Sequence, residues 1–471
     1  MDAAGTKKIL VLGGGIAGLA AANALRLRGA EITLLERAPR AGGNVRTIAR
    51  DGFLAEAGPN SFIAEEKELF DFLRATGVLD AAIDVAPAAK KRFIVRGGRP
   101  VAVPSSPLAA VTTPLFSLHG KLRLLGDLFV PRGDAEGEET VAHFVRRRIG
   151  REMYDYALNP LVAGIFAGDP EKLAVRHAFP KVWNLDQKYG SLIRGTIPNA
   201  KAKKASGLYE KKRTLSFPRG METLPKILAK NLGRAVRVNA TLTELAPEGG
   251  RWRARWFTCG AVCDFFEQDD LFDAVVAAVP PREWRKIFAG VPALAEPLAR
   301  AAETLVYPPV TTLTLGFRRG DVAHPLDGFG ALVPEVERRK ILGSLWTSSL
   351  FPNRAPEGRI TLTTYVGGSR QPELARLPAD AQLALAREEL SALLGARGDP
   401  EFVELCAHDA AIPQYNVGYG AFLKEIEAAE KAFPNLRFCG NYRGGIAVGA
   451  TLLNAVRCAR ALEEKLKRLK V

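Results

Sequence analysis

The sequence predicts an α/β protein with α+β insertions, and three observations carry that prediction. An apolar run at 7–12 leads through Gly13, Gly15 and Gly18 into an Ala- and Leu-rich helix, and a second apolar run follows at 31–35. Three short stretches, 236–245, 272–279 and 436–440, return with strand character, the last ahead of a long helical tail. Between these returns lie a mostly helical stretch, about 100–210, and a mixed one, about 285–425. Strands alternating with helices build a parallel sheet, and the insertions form layers of their own.

Size and composition agree with several cores. At roughly 150 residues per domain, 471 residues make about three domains. A chain that is 47% hydrophobic and 25% charged, with mean hydropathy −0.02, is neither disordered nor fibrous. Its five cysteines include no CxxC pair, Cys259 and Cys263 being the closest in sequence. That pattern argues for unpaired thiols in a reducing compartment rather than a disulfide framework or zinc cluster. The 66 basic residues outweigh 51 acidic ones, for a net charge of +15 and a pI near 9.6. Such a surface suits anionic small molecules or lipid headgroups, or is simply solvated. With no helix-turn-helix, RRM or zinc-finger pattern, nucleic acid is not an expected partner. No stretch offers about 20 consecutive apolar residues. Residues 1–8 lack a signal-peptide pattern, so the protein is expected to stay where it is made.

The first fifty residues are the most informative. Residues 7–12 read as a buried strand, and Gly13, Gly14, Gly15, Ile16, Ala17 and Gly18 form the turn into a helix that stops at Gly29. Gly13 permits the tight turn, Gly15 lets a pyrophosphate approach the backbone, and Gly18 lets the helix pack close to the strand. The helix N-terminus then faces the phosphates. The strand at 31–35 ends at Glu36, about 20 residues past the glycines, where a carboxylate can accept both ribose hydroxyls of an adenosine. This fingerprint fits NAD and FAD alike. Beyond it, Arg40-Ala41-Gly42-Gly43-Asn44-Val45-Arg46-Thr47 and Glu56-Ala57-Gly58-Pro59-Asn60-Ser61 suit a longer cofactor. Here the sequence resembles flavoproteins that carry RxGGxxxT after the dinucleotide fingerprint, which implies non-covalent FAD. No second GxGxxG occurs. A separate nicotinamide site is therefore not expected, and O₂ or another acceptor should reoxidise the flavin.

Further along, 101–118 carries no charge but is interrupted by Pro104, Pro107 and Pro114. It cannot span a bilayer as an ordinary helix, yet it can lie against one. Amphipathic helices are expected over 139–148 and 151–162, and loops at 130–137 and 350–358. Strands are expected at 310–317 and 360–366, with a helix near 379–394. The strand at 436–440 leads into Asn441-Tyr442-Arg443-Gly444-Gly445-Ile446-Ala447-Val448-Gly449 and a helix from 450 to about 469. The positive end of that helix can face the flavin N1–C2=O edge.

Several separated segments are more specific still. They are Gly58-Pro59-Asn60-Ser61-Phe62, Lys91-Arg92-Phe93, Gly164-Ile165-Phe166-Ala167-Gly168-Asp169-Pro170 and Phe217-Pro218-Arg219-Gly220-Met221. Gly328-Phe329-Gly330-Ala331-Leu332-Val333-Pro334, Tyr365-Val366-Gly367-Gly368 and Ile412-Pro413-Gln414-Tyr415 complete the set. With these in order, the whole chain resembles the oxygen-dependent protoporphyrinogen oxidases. The resemblance implies a Rossmann-like FAD domain of the p-hydroxybenzoate hydroxylase type (1–87, 214–284 and 426–471). It also implies a sheet-based substrate domain (88–100 and 285–425) and a helical membrane-binding domain (101–213).

Carried over by residue, the resemblance puts Arg92 at the arginine that clamps a porphyrinogen propionate, a task suited to bidentate guanidinium pairing. It puts Gly164 where a carbonyl faces the pyrrole N–H groups. Leu332 and Tyr365 fall where two side chains sandwich the macrocycle, and Asn60 beside both substrate and flavin. Cofactor contacts are implied for residues 13–18, Glu36, Arg37, Gly42, Gly43, Asn44, Gly58, Pro59, Asn60 and Ser61. The same holds for Leu242 (a backbone amide at the adenine), His408, Ile446, Ala447 and Val448. His408 departs from the family, many of whose members carry Trp there.

Five histidines, His119, His143, His177, His324 and His408, are scattered, so neither a catalytic triad nor a metal site is expected. The resemblance implies no catalytic side chain: a bridge methylene loses hydride to flavin N5, and three two-electron rounds yield one porphyrin and three H₂O₂. Expected partners are the porphyrinogen, O₂, a second copy of the chain, a ferrochelatase that receives the product, and a membrane surface. The expected place is cytoplasmic, peripheral on the inner face of the cell membrane, with Lys201, Lys203, Lys204, Lys211, Lys212 and Arg213 meeting headgroups. Two other readings stay open. A porphyrin-forming coproporphyrinogen oxidase would take a tetracarboxylate and need more cations than Arg92. A flavin amine oxidase or carotenoid desaturase shares the fold, but the aliphatic Ile446-Ala447-Val448 counts against the former. A non-enzymatic flavin scaffold gives no reason for so large a substrate domain.

Overall fold

The computed structural model describes residues 6–259 and 265–469. Five strands form a wholly parallel sheet in the order Val236–Arg237, Glu31–Leu35, Lys8–Leu12, Ala274–Ala277, Leu436–Phe438. Strand alternation sends Ile9 and Val11 to one face and Leu10 and Leu12 to the other. Ile9 and Val11 join the core beneath the helices Ile16–Arg26 and Val448–Leu469. Leu10 and Leu12 pack with Trp252, Trp256 and Phe272 from an antiparallel sheet of Ala240–Glu248, Arg251–Cys259 and Phe265–Phe272. Helices, parallel sheet and antiparallel sheet are thus three layers.

Two expected strands are corrected. The run 236–245 is not one strand: the chain leaves the parallel sheet after Arg237, turns at Asn239 with φ 51°, and starts the antiparallel sheet at Ala240. Asn tolerates that left-handed turn. The run 272–279 is likewise divided, Phe272 ending the antiparallel sheet and only Ala274–Ala277 joining the parallel one. Of the pair Cys259 and Cys263, the second lies outside the described residues.

A mixed sheet of seven strands stands beside this body. Its order is Phe402–His408, Val310–Arg318, Arg359–Gly367, Gly343–Leu345, Gly328–Leu332, Lys91–Arg96, Arg99–Ala102. Only Gly328–Leu332 and Lys91–Arg96 pair in parallel. The helix Ala379–Leu394 covers the back, packing Leu385, Leu390 and Leu393 with Phe93, Val95, Leu313 and Leu315. Alternation then leaves Arg92, Ile94, Thr312, Leu332 and Tyr365 on the front.

Residues 107–205 supply a helical layer. At its centre Arg148 pairs with Asp127, at 3.4 Å, and with Asp186, and all three side chains are fully buried. Glu65 joins this layer to the strand Phe62–Glu66 by pairing with Lys181 and, at 2.8 Å, with Lys203. Burial resists the charge on Glu65, but the two lysines prevail and hold its pKa down to about 2. The stretch 101–118 is neither plain strand nor buried loop. It contains a short helix, Pro107–Thr112, whose N-cap Ser106 accepts from Ala109 N at 3.2 Å. Leu115 is buried, but Leu108, Val111 and Leu118 are 75%, 70% and 73% exposed. Among the described residues, no helix is long and apolar enough to cross a membrane. Of the six basic residues expected at headgroups, Lys203 and Arg213 are instead tied to Glu65 and Asp84.

Candidate functional site

The nucleotide turn is shaped by side chains it lacks. Gly13 has φ 99°, and a Cβ there would lie 2.7 Å from Ala278 O. A Cβ on Gly18 would collide with Gly13 O, so the helix Ile16–Arg26 packs onto the turn only without it. Gly15 differs. Nothing lies within 4 Å of its Cβ position, and it heads the helix with no side-chain cap. The first helical N–H groups therefore open onto free space, as a phosphate requires. Beside them, Glu36 Oε2 accepts from Gly14 N and Oε1 from Ala38 N, each at 2.7 Å. Each oxygen keeps a lone pair for a ribose hydroxyl.

The later glycines extend the same path. Gly42 N donates to Gly14 O at 2.7 Å, and the Cβ position of Gly43 is 3.3 Å from Gly15 Cα. Gly58 lets Asn44 O approach where a Cβ would block it. The helix Val448–Leu469 follows Leu436–Phe438 as the first helix follows Lys8–Leu12, so both N-termini open at the carboxyl edge of one parallel sheet. Gly444 and Gly445, at φ 73° and 126°, make the turn, and Gly445 N donates to Tyr415 OH at 3.2 Å. Ala447 is exposed there, with Ile446 and Val448 half-buried. These residues fit a flavin dinucleotide: a cradle that Cβ atoms would fill, two open helix ends and a ribose-facing carboxylate.

Other predicted cofactor residues have clear places. His408 Nε2 donates to Ala57 O at 2.6 Å and so braces the chain entering Gly58, Pro59, Asn60 and Ser61. Leu242 lies on the antiparallel sheet, but its strand starts with Ala240 N donating to Glu36 O at 2.9 Å, which keeps it beside the cradle. Arg37 turns outward, exposed, and pairs with Glu283 at 3.4 Å.

The predicted substrate residues meet on the front of the mixed sheet. Tyr365, Gly343, Leu332 and Ile94 stand side by side in register across four strands. With no side chain at Gly343, Tyr365 and Leu332 flank a slot, their backbones two strand spacings apart, about 9.6 Å. Leu332 Cδ2 leans into it, 3.3 Å from the Gly343 Cβ position and 2.6 Å from that of the exposed Gly164. Asn60 Nδ2 donates to Tyr365 OH at 2.8 Å, and burial pushes that hydroxyl's pKa up, so it stays protonated. Arg92, exposed, rests its guanidinium 5.1 Å from the Phe329 ring centre. Among the described residues no carboxylate pairs with it, whereas its neighbour Lys91 is bound to Asp327. Gly343 and Phe329 were not anticipated, although an isolated glycine inside the apolar run 341–345 signals a close approach.

A buried carboxyl lies under the loop to Asn60. Glu56, 2% exposed, accepts from Thr47 Oγ1 at 2.7 Å and Met221 N at 2.8 Å, with Arg354 at 3.8 Å. Burial outweighs these and raises its pKa to about 7.

Comparison with known proteins follows the same lines. A family model described as flavin containing amine oxidoreductase matches residues 16–462. Protoporphyrinogen oxidase 2, chloroplastic/mitochondrial, of Arabidopsis thaliana is 31% identical, covering 98% of this chain and 94% of its own. Coproporphyrinogen III oxidase of Bacillus subtilis (strain 168) is 27% identical, covering 94% and 95%. A crystal structure from Exiguobacterium sp. 255-15 superposes with TM-score 0.77 at 23% identity, covering 98% of this chain and 99% of that one. The last likeness shows the fold alone.

Proposed function

The chain belongs to the flavin-containing amine oxidoreductases, among the relatives of protoporphyrinogen and coproporphyrinogen III oxidases, and from that premise we propose that it oxidises protoporphyrinogen to protoporphyrin with FAD and O₂. One observation carries the substrate: an arginine with no carboxylate partner among the described residues, at the rim of a slot walled by Leu332 and Tyr365. Held in the cradle, FAD would supply two-electron acceptance from the substrate, with O₂ as the oxidant that restores it and H₂O₂ as the by-product. The chain itself binds, orients and excludes water. Arg92 takes a propionate bidentately, and Leu332 and Tyr365 hold the macrocycle between them. Leu161 and Ile165, 39% and 41% exposed on the helix that carries Gly164, line an apolar mouth. Coproporphyrinogen III is the second reading, supported by the Bacillus relative. A tetracarboxylate asks for more rim cations than Arg92, which favours the dicarboxylate. Anaerobic mixing with protoporphyrinogen should bleach the flavin absorbance; a flavin that stays oxidised defeats the proposal.

We also propose peripheral membrane attachment on the cytoplasmic side. Val103 N donates to Arg92 O at 2.7 Å, so the uncharged stretch starts at the clamp. Leu108, Val111, Leu118, Leu122 and Phe129 are all more than half exposed, Phe129 at 85%. The helix Leu192–Ala205 begins beside them, with Ile193 N donating to Asp127 Oδ2 at 3.0 Å. Its exposed Ile193 and Ile197 lie at helical spacing and continue into Lys201 and Lys204. Apolar side chains next to exposed lysines suit an anionic interface.

A further inference from the structure

Leu332 is one wall of the slot, and the helix Asn159–Phe166 packs directly against it, with Leu332 Cδ2 2.6 Å from the Gly164 Cβ position; nothing covalent holds the two in that contact. What does so is a small polar cluster at the first residue of that helix. Asn159, 2% exposed, accepts through Oδ1 from Glu335 N at 3.0 Å and from Arg370 Nη2 at 2.9 Å. Its Nδ2 donates to Glu335 Oε2 at 2.9 Å. Arg370 Nη1 donates to Val333 O at 2.9 Å. One amide and one guanidinium thus join three segments: the helix start, the chain leaving Leu332, and the turn after Tyr365-Val366-Gly367-Gly368. The other end of the helix is pinned separately, by Gln414 Nε2 on Phe166 O at 2.8 Å and Ser369 N on Ala167 O at 2.7 Å.

Arg370 is the telling member. Among the described residues no carboxylate lies within ion-pair distance of it, and it donates to a carbonyl and an amide oxygen. Half-burying a guanidinium on two neutral acceptors, with Glu335 and Asp169 acting on it only at longer range, is a poor way to gain stability. A planar fork with two acceptors on different segments is, however, a good way to set a distance. Asn159 is equally particular, because only an amide offers Glu335 both a donor and an acceptor from one side chain.

We propose that Asn159 and Arg370 are positioning residues: acting through the Asn159–Phe166 helix and Leu332, they set the width of the substrate slot, and with it the affinity for a tetrapyrrole macrocycle. This rests on the porphyrinogen reading above. Neither residue touches the reacting atoms, so loosening the cluster should widen the slot without disturbing the flavin.

The test uses the flavin-loaded protein and two readouts, steady-state oxidation of protoporphyrinogen and quenching of protoporphyrin fluorescence on binding. Asn159→Leu and Arg370→Lys should each raise KM and the porphyrin Kd together by about tenfold, equivalent to about 1.4 kcal/mol of lost binding. Flavin reduction at saturating substrate and flavin content should stay near wild type. Asn159→Asp, which keeps the acceptor contacts of Oδ1 but sets a second oxygen against Glu335 Oε2 where Nδ2 donated, should lose affinity as Asn159→Leu does. If Asn159→Leu does not fold, Arg370→Lys, which keeps charge and length, decides alone. Unchanged KM and Kd in a folded variant of an active wild type overturn the proposal. So do losses confined to flavin content or thermal stability. A wild type that binds and oxidises no tetrapyrrole refutes the substrate reading instead, and the two failures are distinct.

Discussion

Arg92 is a cation with a flat aromatic support and no carboxylate of its own among the described residues, so a substrate carboxylate gains most of the pairing. Arg92→Ala should raise KM strongly while flavin reduction at saturating substrate remains comparatively fast. A variant with wild-type KM would place the clamp elsewhere. Glu36→Ala should weaken FAD binding by about 1.5–3 kcal/mol per lost charged hydrogen bond, read by titrating flavin into stripped protein. Glu56 makes a pH prediction. Its folded pKa of about 7 stands above the ordinary 4.5, so the folded state holds the proton more tightly. Its contribution is therefore fully present below about pH 4.5 and is lost as pH rises to about 7, a change of a few kcal/mol. Glu56→Gln should flatten the stability profile across that window; an unaltered slope would contradict the assignment. Gly13, Gly15 and Gly18 were legible because their work is done within one turn. Gly343 and Arg370 were not, because their meaning depends on strands and helices distant along the chain.

At the scale of elements, local signals succeeded where a segment carries its own boundaries. Pro378 and Gly395 bracket the helix Ala379–Leu394, which was anticipated at its full length. They failed where apolar alternation runs through a change of sheet, as at Asn239 and at Asp273, because periodicity records burial and not the identity of the covering layer. The helical layer shows a related blindness: nothing local marks Arg148 as buried, since its partners Asp127 and Asp186 sit on other segments. Removing one member of such a set leaves buried charge uncompensated. Arg148→Met should destabilise the protein by about 3–5 kcal/mol, read as a lowered urea midpoint. Replacement at little cost would show that the three charges do not hold these helices together.

For the whole molecule, the parallel sheet, its two open helix ends and the seven-stranded sheet place a cradle and a slot in one body, while the helical layer turns apolar side chains outward beside the Arg92 strand. Flotation with anionic vesicles at low salt should carry the protein upward, and added salt should weaken the effect. Protein that remains in the aqueous fraction would remove the membrane from the account. The broad architecture was readable because motifs in order along the chain resemble one family throughout. The slot was not, because it is assembled from cross-strand register. The measurement that bears most directly on the function is a side-by-side assay of protoporphyrinogen and coproporphyrinogen, counting H₂O₂ per porphyrin. The account predicts turnover of protoporphyrinogen in preference, with three H₂O₂ for each porphyrin, as a six-electron oxidation in two-electron rounds demands. Preference for coproporphyrinogen, or porphyrin formed without H₂O₂, would contradict it.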